Sequence, residues 1–391
     1  MTAAEGLRLR CPAEVIFLQV LLLAVGLVAC CSDCWATEWT IEAEPWPEAD
    51  VLFKRDSRWV GADAANTVDL GDGRVLWTFG DSFISTHPDP AQRRRVGSEF
   101  IRNSIAIQQG YDPTTAEFQP HWQKDLDGKP NSFFRAEGDV FFWPGGGVRL
   151  GRKVLVFLMR VRNAQRRLGF EVVGWGAVLI DNPGEPPPNW RMLFITPPQN
   201  SFRVVVGSGS AIRDGEFIYA FGYSATLARK QFVVRFPVES ALAGDLSRPE
   251  WWTGEETGWI AQQELADRLP LASLQRGQTE FTVHFQPELG QFLLTEFQGF
   301  PRTPITIRRS GQLTGPWSPA KAVFQPDEIA NAKPDVMLYA AKVHPEQLAD
   351  GLAVTYCSNS SEPSLVMVDE KLYYPRFARI VLVDQAEPDA N

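Results

Sequence analysis

Cysteine, histidine and methionine are scarce in this chain of 391 residues, with five Cys, four His and five Met. Four of the cysteines (Cys11, Cys30, Cys31 and Cys34) crowd the N-terminus and only Cys357 lies beyond. That distribution excludes a disulfide framework. Cys31-x-x-Cys34 has neither a βαβ context nor a second Cys/His pair, which argues against redox or zinc chemistry. Cys357 reads as a small buried strand residue. Four dispersed His argue against a His-rich metal site. Charged residues make up only 22%, and the 38 basic side chains are outnumbered by 47 acidic ones, a net charge of −9. A general nucleic-acid binder would carry a basic footprint instead. No Gly-x-Ser-x-Gly elbow and no His-Glu-x-x-His motif occurs, and Gly145-Gly-Gly147 opens no helix that could cradle phosphate. Helix signals are few: Ala330–Leu338 is broken by Pro334, and Gln262–Leu269 offers two turns at most.

What is present is a hydrophobic fraction of 44%, with 13 Trp, 25 Phe, 29 Pro and 31 Gly. This excludes a disordered or fibrous chain and favours strands, turns and stacking surfaces. Arg8 and Arg10 precede an apolar run from Val15 to Ala29 that is shorter than the ~20 residues of a membrane span. They form the positive and hydrophobic regions of an export signal. The run ends Leu27-Val28-Ala29-Cys30, similar to a bacterial lipobox, in which Cys30 becomes the lipidated first residue. An ordinary cleavable signal and an uncleaved anchor are the alternatives. Each reading puts the folded part outside the cytoplasm. The expected organisation is a signal at 1–29, a tether at 30–54, a globular domain at 55–385 and a tail at 386–391.

A weak repeat runs down the chain. Asp72-Gly-Arg-Val-Leu-Trp-Thr-Phe-Gly80-Asp81-Ser82 resembles Asp214-Gly-Glu-Phe-Ile-Tyr-Ala-Phe-Gly222-Tyr223-Ser224, 142 residues later. Turn-then-apolar-strand segments recur at Gly151–Phe157, Gly290–Leu294 and Asp350–Tyr356. Each unit predicts a small-residue strand, a tight Gly turn, a hydrophobic strand and one or two more strands. Small first strands suit a crowded axis, and runs such as Val75–Phe79 suit sheets packed on both faces. The expected fold is therefore all-β, a five-bladed β-propeller of four-stranded antiparallel blades. Paired β-sandwiches are the alternative.

The most informative stretch runs from Trp59 to Phe83. Gly71-Asp72-Gly73 is a hairpin turn, and pairing Leu70 with Arg74 places Asp63 opposite Asp81. Opposed Cβ atoms lie ~4.5–5.5 Å apart. One of two such carboxyls must have a raised pKa. A proton donor beside an ionised group is what glycosidic cleavage requires. The repeat supports a role in chemistry, because Tyr223 replaces Asp81 while Phe-Gly is kept. The alternative is that both acids only bond turn backbone.

The stretch Gly61-Ala62-Asp63 followed by Leu76-Trp-Thr-Phe-Gly-Asp81-Ser-Phe83 resembles the first blade of a bacterial family of five-bladed propellers. The family was long labelled a domain of unknown function and includes endo-D-arabinanases. Arg102-Asn103-Ser104, Phe142-Trp143-Pro144 and Tyr339-Ala-Ala-Lys342-Val-His344-Pro345-Glu346 are further matches. Arg309-Ser310 and Gly315-Pro316-Trp317-Ser318 are similar to outer-strand motifs in propeller arabinanases and fructosidases. The resemblance covers residues 55–385. It implies that Asp63 and Asp81 are the catalytic pair. It also implies that Glu137 or Asp139, Trp143, Glu280, His284, Lys342 and His344 line a substrate funnel, with Asn103 bonding sugar or holding a loop.

The function expected is hydrolysis of glycosidic bonds in an arabinan-like or other polysaccharide. A non-catalytic glycan-binding or surface-scaffold propeller is the alternative. No cofactor is expected, although an axial Ca²⁺ held by oxygen ligands would suit the fold. The expected partner is an oligo- or polysaccharide, not nucleic acid, with membrane contact only through the lipid anchor.

Overall fold

The computed structural model describes residues 39–384, apart from 167–168, 225, 227–228, 266–267, 332–334 and 348–350. The expected export signal, Cys30 and the Cys31/Cys34 pair lie outside the described residues. Residues 41–381 form one compact unit; of a second, comprising 1–40 and 382–391, only 39–40 and 382–384 are described. Among the described residues no helix is long and apolar enough to cross a membrane.

The described chain is all-β, with five larger antiparallel sheets in succession beside a three-stranded sheet of Trp59–Ala62, Ser82–Ile84 and Glu99–Ile101 and a two-stranded one. The first sheet orders Asn66–Gly71, Arg74–Phe79, Ser104–Gln109 and Glu117–His121. The second orders Val140–Leu150, Lys153–Asn163, Phe170–Ile180 and Met192–Ile195. The third has five strands, from Val204–Asp214 and Phe217–Ser224 out to Glu250–Trp252 and Trp259–Ala261. The fourth runs from Thr282–Gln286 to Lys321–Phe324. In the fifth, Val336–Val343, Leu352–Ser360 and Arg376–Asp384 are joined by the N-terminal strand Trp39–Pro45 as the outermost member. Four of the five turns expected from the repeat, near 72, 151, 215 and 290, each join the first two strands of a separate sheet. The fifth, near 350, falls partly among residues not described.

Strand alternation explains why these strands are apolar on both faces. Along the second strand of the second sheet, Leu155, Phe157, Met159 and Val161 belong to the core shared with the third sheet. Their neighbours Val154, Val156 and Leu158 belong to the core shared with the first. Successive side chains point to opposite faces, so a sheet packed between two others must be hydrophobic at every position. Each large apolar side chain buried this way contributes about 1.5–3 kcal/mol.

Glycine governs the close approach of the first strands. A Cβ on Gly145 would stand 2.0 Å from the Gly207 carbonyl oxygen, and one on Gly146 2.3 Å from that of Gly209. Gly145-Gly-Gly147 is thus a packing device.

Within the expected tether, Trp39–Pro45 is a sheet strand and Pro47–Asp50 a helical turn with Ala49 buried. The hairpin pairs Asn66 with Thr78 and Asp69 with Val75 in the expected register, but Gly71, not Leu70, sits opposite Arg74. A bulge at the turn absorbs one residue.

Candidate active site

Asp63 follows the strand Trp59–Ala62, three residues before the first sheet begins at Asn66; Asp81 follows Gly80, just past the end of that sheet's second strand. The two are tied across the hairpin mouth, with Asp63 N–H donating to the Asp81 carbonyl at 3.3 Å and Gly80 N–H to the Asp63 carbonyl at 3.0 Å. The bulge lies at the far end of the hairpin, so it leaves this pairing intact. Gly80 is required here, since a Cβ would lie 2.5 Å from Asp63 Oδ1.

The two carboxylates have different partners. Asp63 Oδ2 accepts from the Tyr339 hydroxyl at 2.8 Å, and the Tyr373 hydroxyl also bonds Asp63. Asp81 Oδ1 accepts from Trp143 Nε1 at 2.9 Å, and Oδ2 faces Arg102 at 3.5 Å. Arg102 lies over the Phe141 ring, 4.3 Å from its centroid, and donates to Asn163 Oδ1 at 3.0 Å. Burial pushes the Asp63 pKa well above the usual carboxylate range, and the Asp81 and Glu280 charges push it further. Burial raises Asp81 to about 6, while the Trp143 N–H and the Arg102 guanidinium pull it down.

Glu280, just before the first strand of the fourth sheet, is close enough to Asp63 to act on its titration. Burial raises Glu280, and Lys342 opposes the shift. Lys342 is itself buried, pushed down by desolvation, and donates to the Phe281 carbonyl at 3.3 Å. Cys357, free and buried, is pushed up by burial beside the Asp63 and Glu280 charges. The cluster thus combines three acids, one amine and two tyrosines from several sheets. A group of this kind can give a proton to one atom while an ionised carboxylate acts on its neighbour.

Further along the first strands lies a cavity of about 300 Å³, lined from each of the five larger sheets, including Thr67, Val148, Ser210, His284, Lys342 and Glu346. His284 Nε2 pairs with Gln286 Oε1 at 3.3 Å, while its buried Nδ1 has no partner among the described residues. Burial lowers its pKa to about 4.

The remaining candidates sit elsewhere. Glu137 is exposed and paired with Arg160 at 2.8 Å, and Asp139 is exposed on the same turn. Asn103 and His344 bond the scaffold. Asn103 is fully buried, donates to the Phe134 and Phe142 carbonyls and accepts from Phe134 N–H, so it holds the loop. His344 bonds Thr67 Oγ1 at 2.8 Å and Thr355 Oγ1 at 2.7 Å and packs against Trp77, which leaves no ring nitrogen for sugar. Trp143 meets Phe170 edge-on at 4.6 Å and acts on Asp81 as a donor. Reasoning from sequence missed Arg102, Tyr339 and Tyr373. The first two stand inside quoted motifs, one residue from Asn103 and three from Lys342. Tyr373 has no local signal: it reaches Asp63 from a turn at positive φ, where its carbonyl would meet a Cβ on Gly61 at 2.5 Å. Among the described residues no group of three or more His, Cys, Asp or Glu is placed to hold a metal ion.

Comparison with solved structures finds a candidate hydrolase from Bacteroides ovatus at TM-score 0.64 and 18% identity, covering 89% of this chain and 94% of that one, which shows a shared fold. The catalytic domain of a GH62 α-L-arabinofuranosidase from Coprinopsis cinerea gives a TM-score of 0.44 at 10% identity, covering 89% and 97%. An endo-arabinase from Bacteroides thetaiotaomicron gives 0.42 at 12% identity, covering 84% and 95%. These two likenesses are too loose to carry an argument about this chain. No curated protein matches it. One family model matches residues 48–382, and the chain belongs to that family, described as a Domain of unknown function (DUF5005).

Proposed function

We propose that the protein is an exported, lipid-anchored glycoside hydrolase. It acts on an arabinan-like or related polysaccharide at the Asp63/Asp81 pair, and its five sheets are the blades of a propeller around the axial cavity. The observation that carries the reading is the unequal support of two carboxyls tied across one hairpin mouth. Asp63, with the more strongly raised pKa, holds the proton and gives it to the glycosidic oxygen as the bond to the leaving sugar breaks. Asp81, with Trp143 and Arg102 favouring its charge, is ionised near neutrality. It either bonds to the anomeric carbon, to be displaced by water, or takes a proton from the water that attacks there. The anomer first released, read by NMR, separates these two courses. Lys342, with Glu280, faces the leaving or incoming sugar. Lipidation at Cys30 anchors the domain outside the cytoplasm.

The test is sugar release from a panel of arabinans, xylans and galactans. Asp63→Asn and Asp81→Asn should each lower turnover by at least about 10³-fold with melting temperature retained. Release surviving either change would overturn the assigned roles. A wild-type protein that bound these glycans and released nothing would be a binding propeller.

A further inference from the structure

A second cavity, of about 670 Å³, lies on the third and fourth sheets and shares no lining residue with the Asp63/Asp81 cluster. Its walls include Trp252, Glu255, Leu271, Arg276, Arg308 and Trp317. Trp252 is the last residue of the strand Glu250–Trp252 and is held by Trp259, ring centroids 5.4 Å apart. Trp317 belongs to the Gly-Pro-Trp motif that the catalytic reading leaves without a use. Gly315, at φ +88°, lets the loop fold over that ring: a Cβ there would meet Trp317 Cδ1 at 3.1 Å and Nε1 at 3.4 Å.

Trp317 Nε1 and Arg308 Nε are both buried without a hydrogen-bond partner among the described residues. Arg308 spends another nitrogen on the Ser318 carbonyl, and its Nε is ion-paired with the Glu296 carboxylate at 3.7 Å. A buried indole N–H normally finds an acceptor. Leu271 is 48% exposed at the rim, where Glu255 and Arg276 are also exposed.

Indole surface, with a carboxylate and a guanidinium at the rim, forms one recognition chemistry. Such a wall takes a ring with apolar C–H faces and oxygen acceptors at its edge, and its volume falls in the range of small-molecule sites. We infer that this cavity is a non-catalytic glycan subsite, in which Trp317 and Trp252 pack on sugar rings and the Glu255 and Arg276 side chains at the rim bond their hydroxyls. The inference rests on the glycan reading of Asp63/Asp81 and extends it: the subsite would hold a polysaccharide chain on the enzyme between cleavages.

The test uses the full chain carrying Asp81→Asn, run through gels containing soluble arabinan, xylan or galactan, with Trp317→Phe and Trp317→Ala added singly. Trp317→Phe keeps a packed ring and removes only part of the surface. Retardation of the Asp81→Asn protein in at least one gel is expected, with affinity falling about tenfold in Trp317→Phe and further in Trp317→Ala. Melting temperature checks folding, and if Trp317→Ala fails to fold, Trp317→Phe decides. Equal retardation of all variants, or none in any gel, overturns the subsite. Hydrolysis by the parent with no effect of Trp317 sinks the subsite and leaves the catalytic reading standing. Trp317-dependent retardation by a protein that hydrolyses nothing does the reverse.

Discussion

At the scale of single residues, the proposed chemistry depends on two like groups kept unlike. Asp63 meets tyrosine hydroxyls and neighbouring acids, whereas Asp81 meets an indole N–H and a guanidinium. The proposed mechanism requires Asp81 ionised and Asp63 protonated. As pH rises through about 6, Asp81 loses its proton and kcat/KM should climb. At higher pH, as Asp63 ionises, it should fall. Trp143→Phe removes the foremost group favouring the Asp81 charge, so the acidic limb should move upward by about one unit. A pH–rate profile checks this, and an unmoved limb would assign it to another group. The Asp63/Asp81 pair was legible in sequence because hairpin pairing is local: one turn fixes which residues oppose one another. Arg102 and Tyr373 were not, because each reaches the pair through contacts that no spacing encodes.

At the scale of elements, the strands carry their instructions in period two and their turns in glycine. The repeat near 72, 151, 215 and 290 marked the first hairpins of four sheets because a tight turn needs residues tolerant of positive φ, as at Asp72, Gly151, Gly215 and Gly290. The glycines at 145 and 146 do a different job. Gly146→Ala would set a Cβ 2.3 Å from the Gly209 carbonyl oxygen and 2.7 Å from the Ala211 nitrogen, so backbone must shift. Urea unfolding should show a loss of about 1–3 kcal/mol or more. Gly128→Ala, whose Cβ meets nothing within 4 Å, should lose only about 1 kcal/mol from its left-handed backbone. Similar losses would show that the first strands are not closely packed at that point. The sequence displayed small first-strand residues, but which strand each would touch was not visible in it.

At the scale of the whole molecule, the first and last described strands meet in one sheet. Residues 41–45 lie beside the strand Arg376–Asp384, Trp46 N–H donates to the Phe377 carbonyl at 2.9 Å, and the two rings meet edge-on at 5.9 Å. Glu44 pairs with Arg379. Removing residues 1–46 would uncover that edge, which a lone sheet edge tolerates poorly. The melting temperature should drop by about 5 °C or more and aggregation should rise. A shortened protein that melts unchanged would make this strand an ornament.

The sequence by itself determined the strand-rich class, the spacing of the first hairpins and the opposition of Asp63 and Asp81, because alternation, glycine turns and antiparallel pairing are properties of neighbours along the chain. The tertiary structure alone decided that Asn103 and His344 spend their polar atoms on the scaffold. It also decided that Tyr339, Tyr373, Trp143 and Arg102 divide the two acids, and that Trp252 and Trp317 share a wall. Those outcomes depend on contacts between residues tens to hundreds of positions apart, which only the packing of sheet against sheet brings within reach.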